Sequence, residues 1–171
     1  MREQDSTPSD VNAGDLEAID RQLGRTPRGV VGVAYRCPCG EPAVVKTAPR
    51  LDDGTPFPTT YYVTCPRLTS AIGTLEGEGR MRDMEHRLGV DDELRDQYRA
   101  AHERYLAERA RLGDVEEIEG ISAGGMPTRV KCLHVLVGQS LASGRGVNPF
   151  GDEALAEIGD WWEPRSCAEE T

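Results

Sequence analysis

The sequence predicts an α+β fold, with a small three-stranded antiparallel meander packed against several helices. Three short segments rich in β-branched and aromatic residues lie between positions 30 and 64, and turn-forming runs separate them. After position 65 the apolar residues recur at helical spacing instead. With 171 residues, 37% of them apolar, the chain is long enough for one compact core but too short for two comfortable domains.

The two ends of the chain are expected to lie outside this core. Residues 1–14 are polar and punctuated by proline and glycine, so they bury too little apolar surface to offset the entropy of ordering. We expect a disordered N-terminal arm over 1–14, a single α+β domain over 15–162 and a flexible tail over 163–171.

The N-terminal half carries a helix and the three strands. Asp15 is suited to cap a helix in which Leu16, Ile19 and Leu23 recur at helical spacing, and Gly24 ends it. The strands that follow are bounded by Cys-Pro-Cys-Gly and by Asp-Asp-Gly-Thr-Pro, which is typical of a meander. Their expected spans are 30–35, 42–47 and 59–64.

The C-terminal half is predicted to be helical. Pro66 is placed to open a helix, and Gly77 and Gly79 break it before a second helical segment. Asp91 or Asp92 caps the longest helix, which has one apolar stripe. Two more helices are expected, over about 127–142 and from 148–149 to 161–162.

Net charge and hydropathy exclude several function classes. The 20 Lys and Arg residues are outnumbered by 30 Asp and Glu, a net charge of −10 that argues against nucleic acid or an anionic membrane as a partner. The chain opens on no signal segment, and no run approaches the roughly 18 apolar residues of a membrane span. We therefore expect a cytosolic protein, in which five cysteines serve metal binding or catalysis before they serve disulfides.

Three cysteines and one histidine are the candidates for a metal site. Cys37 closes the first strand and Cys65 the third, and an antiparallel meander brings these two strand ends to the same edge. Cys132 lies in the first turns of a late helix, where the helix dipole favours a thiolate, and His134 follows it. Three thiolates and an imidazole suit zinc, and three thiolates with a replaceable fourth partner suit an iron–sulfur cluster. The sequence leaves both open.

The fourth ligand is the least determined part of this prediction. Residues two positions apart point about 200° apart on an ideal helix, so Cys132 and His134 share a site only if the helix begins near Leu133 or is irregular. Cys39 is the alternative fourth ligand. Cys167 lies in the polar tail and is expected to be exposed and without a role. Packing of inert thiols in the core is the competing interpretation of the whole set.

Cations accompany the thiols and define a second class of function. Arg36, Arg67 and Lys131 each lie within two residues of one of the three cysteines, and together they form a candidate anion site. An enzyme would use an open metal position, or an activated cysteine with His134 as base, on a small anionic substrate. A third alternative is an interaction module without metal that uses the acidic helix over 91–112.

Seven motifs carry a resemblance to a known family. They are RCP at 36–38, DGTPFPT at 53–59, YVTCP at 62–66, LEGEG at 75–79, GGM at 124–126, VKCLH at 130–134 and NPFG at 148–151. In this order they resemble an uncharacterised bacterial family, a domain of unknown function often encoded beside a septum formation initiator and an exopolyphosphatase. The resemblance covers about 15–158.

The resemblance has implications for individual residues. It implies that Cys37, Cys65, Cys132 and His134 belong to the family's motifs, whereas Cys39 and Cys167 are peculiar to this chain. It also implies that the helix after the Cys-Leu-His motif often carries a further histidine, where this chain has Gln139.

The function that we expect from the sequence is that of a small cytosolic bacterial metalloprotein with a zinc or iron–sulfur centre. The family's gene neighbours imply a link with the cell envelope or cell division. No nucleic acid and no membrane insertion are expected, and the sequence leaves the protein partner and the oligomeric state open.

Overall fold

The computed structural model describes residues 11–164 and residue 167. In this part of the chain, six α-helices and one three-stranded antiparallel sheet confirm the α+β class. The elements are α1 (Ala13–Leu23), β1 (Val30–Arg36), β2 (Pro42–Thr47), β3 (Tyr61–Val63), α2 (Pro66–Gly77), α3 (Arg80–Val90), α4 (Asp92–Ala110), α5 (Leu133–Ser143) and α6 (Pro149–Ile158). Most of the predicted arm, residues 1–10, and residues 165–166 and 168–171 of the predicted tail lie outside the described residues.

The sheet has the strand order β1-β2-β3, with β2 antiparallel to both neighbours. Arg36 at the end of β1 is paired with Pro42, and Val63 at the end of β3 is paired with Val44. The ends of β1 and β3 therefore lie at the same edge, next to the start of β2, as the meander predicts. Three-residue β3 is shorter than the predicted strand over 59–64, because only three residues of β2 pair with it.

The first helix begins two residues before the predicted start. Asn12 is its N-cap, since its side-chain oxygen accepts a hydrogen bond from the N–H of Asp15 at 2.8 Å. Asp15 is instead the third helical residue and returns a hydrogen bond to the backbone of Asn12, which completes a capping box. This leaves the buried Asp15 carboxylate available to bind Arg36.

Helix α5 begins later than the predicted 127–142. The preceding segment is a turn, in which the N–H of Lys131 donates to the carbonyl of Gly124 at 2.7 Å and that of Arg129 to Gly125 at 2.8 Å. Gly125 has φ +93°, and a Cβ there would lie 2.8 Å from the Arg129 carbonyl oxygen, so the turn needs glycine. The helix therefore starts at Leu133, and Cys132 becomes its N-cap residue.

Helix α5 is the central element of the core. Eight of its eleven residues are buried, and it packs against β3 and α6. Gly138 makes the contact with β3 close, since a Cβ there would lie 2.9 Å from the carbonyl oxygen of Tyr61. This close packing fixes the N-terminus of α5 relative to the sheet and α2.

Within residues 11–164, no helix has both the length and the apolar character needed to cross a lipid bilayer.

Candidate functional site

A cysteine, a histidine and a glutamate meet at the N-terminus of α5. Cys132 is the N-cap residue, His134 is in the first helical turn, and Glu76 comes from the C-terminal half of α2. One ligand-type atom of each side chain lies within 4.8 Å of the other two. Since the helix begins at Leu133, Cys132 has non-helical backbone angles, and the thiol and the imidazole reach the same point despite their two-residue offset.

The imidazole of His134 is held through both ring nitrogens. Nδ1 lies 2.6 Å from Oε1 of Glu76, and Nε2 lies 3.3 Å from the carbonyl oxygen of Thr69 in α2. Both contacts are with acceptors, so the doubly protonated ring is fully satisfied. Because the two acceptors belong to one helix, α2 sets the orientation of the base.

Cys132 and His134 shift each other's ionisation. Burial alone would raise the pKa of Cys132, but the hydrogen bond with His134 and the backbone N–H of Val135 hold it below the ordinary value. The bond with Cys132 raises the pKa of His134 against the effect of burial, and the negative charge of Glu76 adds to this rise. Both shifts favour a thiolate–imidazolium pair.

The pair opens onto a cleft of about 350 Å³ between the start of α5, β3 and α2. His134 is 31% exposed within its side chain and Glu76 21%, so a small molecule in the cleft reaches the imidazole. Besides Cys132 and His134, the cleft is lined by aromatic, aliphatic and hydroxyl side chains: Thr59, Tyr61, Tyr62, Val63, Thr69 and Val135. Among the residues that the structure describes, no formally charged side chain other than the pair itself lines the cleft.

A second group of thiols lies at the edge of the sheet. The Sγ atoms of Cys37, Cys39 and Cys167 lie within 4.8 Å of one another, and those of Cys37 and Cys167 are 3.6 Å apart. The thiol of Cys65 contacts that of Cys167 and raises its pKa, after burial, which is the largest cause. All five cysteines of the chain are free thiols.

Burial dominates the ionisation of two thiols of this second group, Cys37 and Cys167. It raises the pKa of Cys37 to about 11 and that of Cys167 further still. Cys39 is half-buried, and although burial opposes ionisation there, the backbone N–H of Glu41 and the neighbouring thiols lower its pKa. In the absence of a cation, Cys37 and Cys167 are therefore neutral near pH 7.

The structure divides the ligand set that the sequence predicts. Cys37 and Cys65 lie at the sheet edge, whereas Cys132 and His134 lie with Glu76 at the start of α5. The four do not form one group, because the late start of α5 turns Cys132 toward α2 and away from the strand ends. Of the two residues considered as the fourth ligand, Cys39 lies in the group with Cys37, and His134 lies in the group with Cys132.

One expectation about the tail was wrong. Cys167 was predicted to be exposed, but only 1% of it is accessible, because it contacts the buried thiols of Cys37 and Cys65. The residues around Cys167 in the sequence are polar, so they do not predict that its side chain is buried in the core. Glu76 was also missed as a member of the site, although its position four residues after the buried Ile72 places it beside the buried face of α2.

The three cations of the predicted anion site do not line the cleft. Arg36 forms a bidentate ion pair with Asp15, with N–O distances of 2.9 and 2.8 Å. Arg67 donates a hydrogen bond to the backbone carbonyl of Glu163, beside a different surface depression. Lys131 is exposed and precedes Cys132 in the turn. The predicted anion site is therefore not assembled at the thiol of Cys132.

A larger cleft, of about 530 Å³, lies near the end of α4, but the described residues that line it include no cysteine, histidine, serine or threonine. Its buried cation, Arg109, is already occupied. The guanidinium donates to the backbone carbonyl oxygens of Pro58, Ser122, Ile118 and Ile121 at 2.6 to 3.4 Å. Through these bonds Arg109 holds the loop between α4 and α5 in place, which is a structural role.

Comparison with known proteins identifies the region that this chain shares with others. A family model described as "Protein of unknown function (DUF501)" matches residues 33–156. The matched region contains Cys132, His134 and Glu76 and ends before Cys167. No curated protein and no solved structure matches the chain.

Proposed function

The chain belongs to the DUF501 family, and from the side chains that meet at α5 we propose that it is a cysteine-dependent acyl-transfer enzyme with Cys132 as nucleophile. One observation carries the proposal. The thiol of Cys132 lies beside the imidazole of His134, whose Nδ1 is 2.6 Å from the Glu76 carboxylate, and the group opens onto a cleft. A nucleophile, a base and a group that orients the base are the three parts of such catalysis.

The chemistry follows from these roles. In the resting pair the thiol proton of Cys132 is already on His134. The thiolate attacks the carbonyl carbon of the acyl substrate, so that a sulfur–carbon bond forms and the carbonyl electron pair moves onto oxygen. Collapse of this intermediate breaks the bond to the leaving group, which takes its proton from His134. Water that gives a proton to His134 then attacks the thioester, which releases the carboxylic acid and restores the thiol.

Glu76 and the start of α5 support these steps without reacting. The carboxylate of Glu76 holds the ring orientation and stabilises the positive charge on His134. The N–H groups of the first turn of α5 have no partners within the helix, so they favour the thiolate and the negative oxygen of the intermediate. Cys132 is suited to use them because it occupies the N-cap position.

The lining of the cleft indicates the substrate class. Tyr62, Val63 and Val135 supply aromatic and aliphatic surface, and Thr59 and Thr69 supply hydroxyl groups. Arg36 and Arg67 are outside the lining, so we propose an uncharged acyl group rather than the small anion expected from the sequence. A volume of about 350 Å³ suits a small acyl group.

A catalytic metal bound by Glu76, Cys132 and His134 is the second candidate, because their donor atoms lie within 4.8 Å of one another. The distance of 2.6 Å between Nδ1 and Oε1 favours the triad instead. Two ligands of one tetrahedral zinc ion are separated by about 3.3 Å when each bond is about 2.0 Å long. The shorter separation is that of a hydrogen bond.

The cytosolic location, the link with envelope or division physiology and the protein partner stay predictions. None of them alters the chemistry proposed for Cys132.

The experiment that tests the proposal uses p-nitrophenyl acetate as an activated acyl ester. We expect a rapid release of about one equivalent of p-nitrophenolate per chain, as for a covalent intermediate, and mass spectrometry should locate an acetyl group on Cys132. Cys132→Ser should abolish the rapid phase, and His134→Ala should slow it on the order of 100-fold, the contribution of a positioned base.

A matched variant makes the outcome specific. His86→Ala removes an exposed histidine from α3, outside the cleft, so it should keep the rapid phase. A rapid phase that persists in Cys132→Ser, or one that His134→Ala leaves unchanged, would overturn the triad. Loss of the rapid phase on adding a chelator, with recovery on adding zinc, would instead favour the metal candidate.

A further inference from the structure

Four thiols from four places in the chain meet at the edge of the sheet. Cys37 directly follows β1, Cys39 lies in the turn between β1 and β2, Cys65 is the N-cap residue of α2, and Cys167 lies beyond the end of α6. The exposed fractions of Cys37, Cys65 and Cys167 are 3%, 0% and 1%. The set lies apart from the Cys132 cleft, and its fourth member lies outside the region shared with the family.

Three of the four sulfurs lie at separations close to those around a single tetrahedral ion, and the fourth, that of Cys65, contacts Cys167. Zinc–sulfur bonds of about 2.3 Å place two thiolates of a tetrahedral site about 3.8 Å apart. The Sγ atoms of Cys37 and Cys167 are 3.6 Å apart, and Cys39 lies within 4.8 Å of both. An iron–sulfur cluster has several irons and bridging sulfides between its cysteines and needs a wider ring of sulfurs.

The backbone of the β1–β2 turn is arranged to support thiolates. The N–H of Cys39 faces the sulfur of Cys37, and the N–H groups of Glu41 and Cys167 face the sulfur of Cys39. The turn itself is closed by two backbone hydrogen bonds of 2.8 and 2.9 Å. N–H groups that point at sulfur stabilise its negative charge, and such contacts orient the ligands of metal sites.

Core packing and a disulfide explain these observations less well. Inert cysteines pack against aliphatic side chains and need neither sulfur–sulfur contact nor backbone N–H groups aimed at sulfur. A disulfide bond is about 2.05 Å long, well below the 3.6 Å between Cys37 and Cys167, and it would pair only two of the four thiols.

We infer that Cys37, Cys39, Cys65 and Cys167 bind one zinc-type divalent ion, which fastens the C-terminal segment to the end of the sheet. Four thiolates close the coordination sphere, so the ion has a structural role and leaves no position for a substrate. The binding free energy becomes folding free energy for the segments that it joins. This site is independent of the acyl-transfer function proposed for Cys132.

The test is metal content and cobalt spectroscopy of the full chain. Protein purified with zinc in the medium should hold about one zinc per chain, as a closed tetrahedral site requires. Cobalt(II) in place of zinc should give the intense ligand-field absorption of a tetrahedral tetrathiolate site. Cys39→Ser and Cys167→Ser should each lose the metal to a chelator at least tenfold faster, the effect expected when one ligand is removed.

Cys132→Ser is the matched control, because it removes a half-buried thiol outside the group and should keep the zinc and the cobalt spectrum. Cys39→Ser keeps the test valid if replacement of the fully buried Cys65 prevents folding, since Cys39 lies in an exposed turn. Purification without metal, an octahedral cobalt spectrum, or equal zinc retention in Cys167→Ser and wild type would overturn the inference. A Cys37–Cys167 disulfide in protein handled under reducing conditions would do the same.

Discussion

The two groups of cysteines place the same side chain in opposite environments. Cys132 faces an imidazole in an open cleft and its pKa is lowered, whereas Cys37 faces other thiols in the core and its pKa is raised to about 11. Burial acts on both sulfurs in the same direction, as the largest cause of a higher pKa. The difference therefore lies in the neighbouring group. The imidazolium of His134 favours the thiolate of Cys132, as a nucleophile requires, whereas no such cation faces Cys37, whose thiolate would need a metal ion.

Helix α2 connects the two environments. Its N-cap residue, Cys65, belongs to the buried group, and Glu76 near its other end orients His134. Thr69, one turn after Cys65, contributes the carbonyl that faces the second ring nitrogen of His134. A metal ion at the sheet edge would therefore also fix the helix that positions the base, although it takes no part in the reaction.

The largest expected effect is the contrast in thiol reactivity. We expect iodoacetamide to modify Cys132 of the native protein near pH 7 on the order of 100-fold faster than Cys37, because the thiolate is the reacting form and burial raises the pKa of Cys37. Cys65 should also react slowly, because it is fully buried and the reagent does not reach it. Mass spectrometry of peptides after timed alkylation measures the ratio. A chelator should leave the rate at Cys132 unchanged and expose Cys39, the buried group's member with a lowered pKa.

Two results would break the comparison. Alkylation of Cys37 as fast as that of Cys132 without chelator would show that the sheet-edge thiols are neither buried nor bound. Protection of Cys132 that a chelator relieves would show that a metal occupies the cleft, and the triad would lose its basis.

The sequence predicted the fold better than the site, and the reason lies in the range of the interactions. Strand alternation, glycine breaks and the proline at 66 are local signals, and the meander that they predict correctly brings Cys37 and Cys65 to one edge. The start of α5 depends on turn hydrogen bonds from Arg129 and Lys131 to the glycine pair, which no local pattern specifies. The difference between the predicted helix start near 127 and the observed start at Leu133 determines that Cys132 lies beside His134 and Glu76.

Two other members of the sites were beyond the reach of sequence patterns for a similar reason. Cys167 joins Cys37 across 130 positions, and its polar neighbours predict exposure. In the sequence, Glu76 does not differ from the other acidic residues on helices. Only the packing of α2 against α5 brings its carboxylate to 2.6 Å from Nδ1 of His134. Long-range contacts of this kind become visible only with the tertiary structure.

A smaller effect sharpens the role of His134. Since His134 lowers the pKa of Cys132 by its hydrogen bond and its charge, His134→Ala should raise that pKa and reduce alkylation near pH 7 about tenfold, which is the effect of one pKa unit. The pH profile of the alkylation rate should move to higher pH, and the rate at high pH should be retained. The control variant His86→Ala should keep the wild-type profile. A profile that does not move in His134→Ala would mean that the helix terminus alone activates the thiol.

The smallest expected effect concerns the metal-free protein at alkaline pH. Burial raises the pKa of Cys37 from 9.0 to about 11 in the folded chain, so the neutral thiol stabilises the fold below pH 9, and this contribution is lost as the pH rises through 11. We expect the melting temperature of chelator-treated protein to fall by about 5 °C over this range through Cys37, since two pKa units correspond to about 2.7 kcal/mol. The zinc-loaded protein should lack this fall, since a bound thiolate has no proton to lose.

The control variant Cys37→Ala removes the titrating thiol, so the melting temperature of its metal-free form should not show this fall with pH. Equal pH dependence of the zinc-loaded and metal-free proteins would mean that the sheet-edge thiols titrate in both, and the contrast between a metal-neutralised group and a histidine-activated one would not hold.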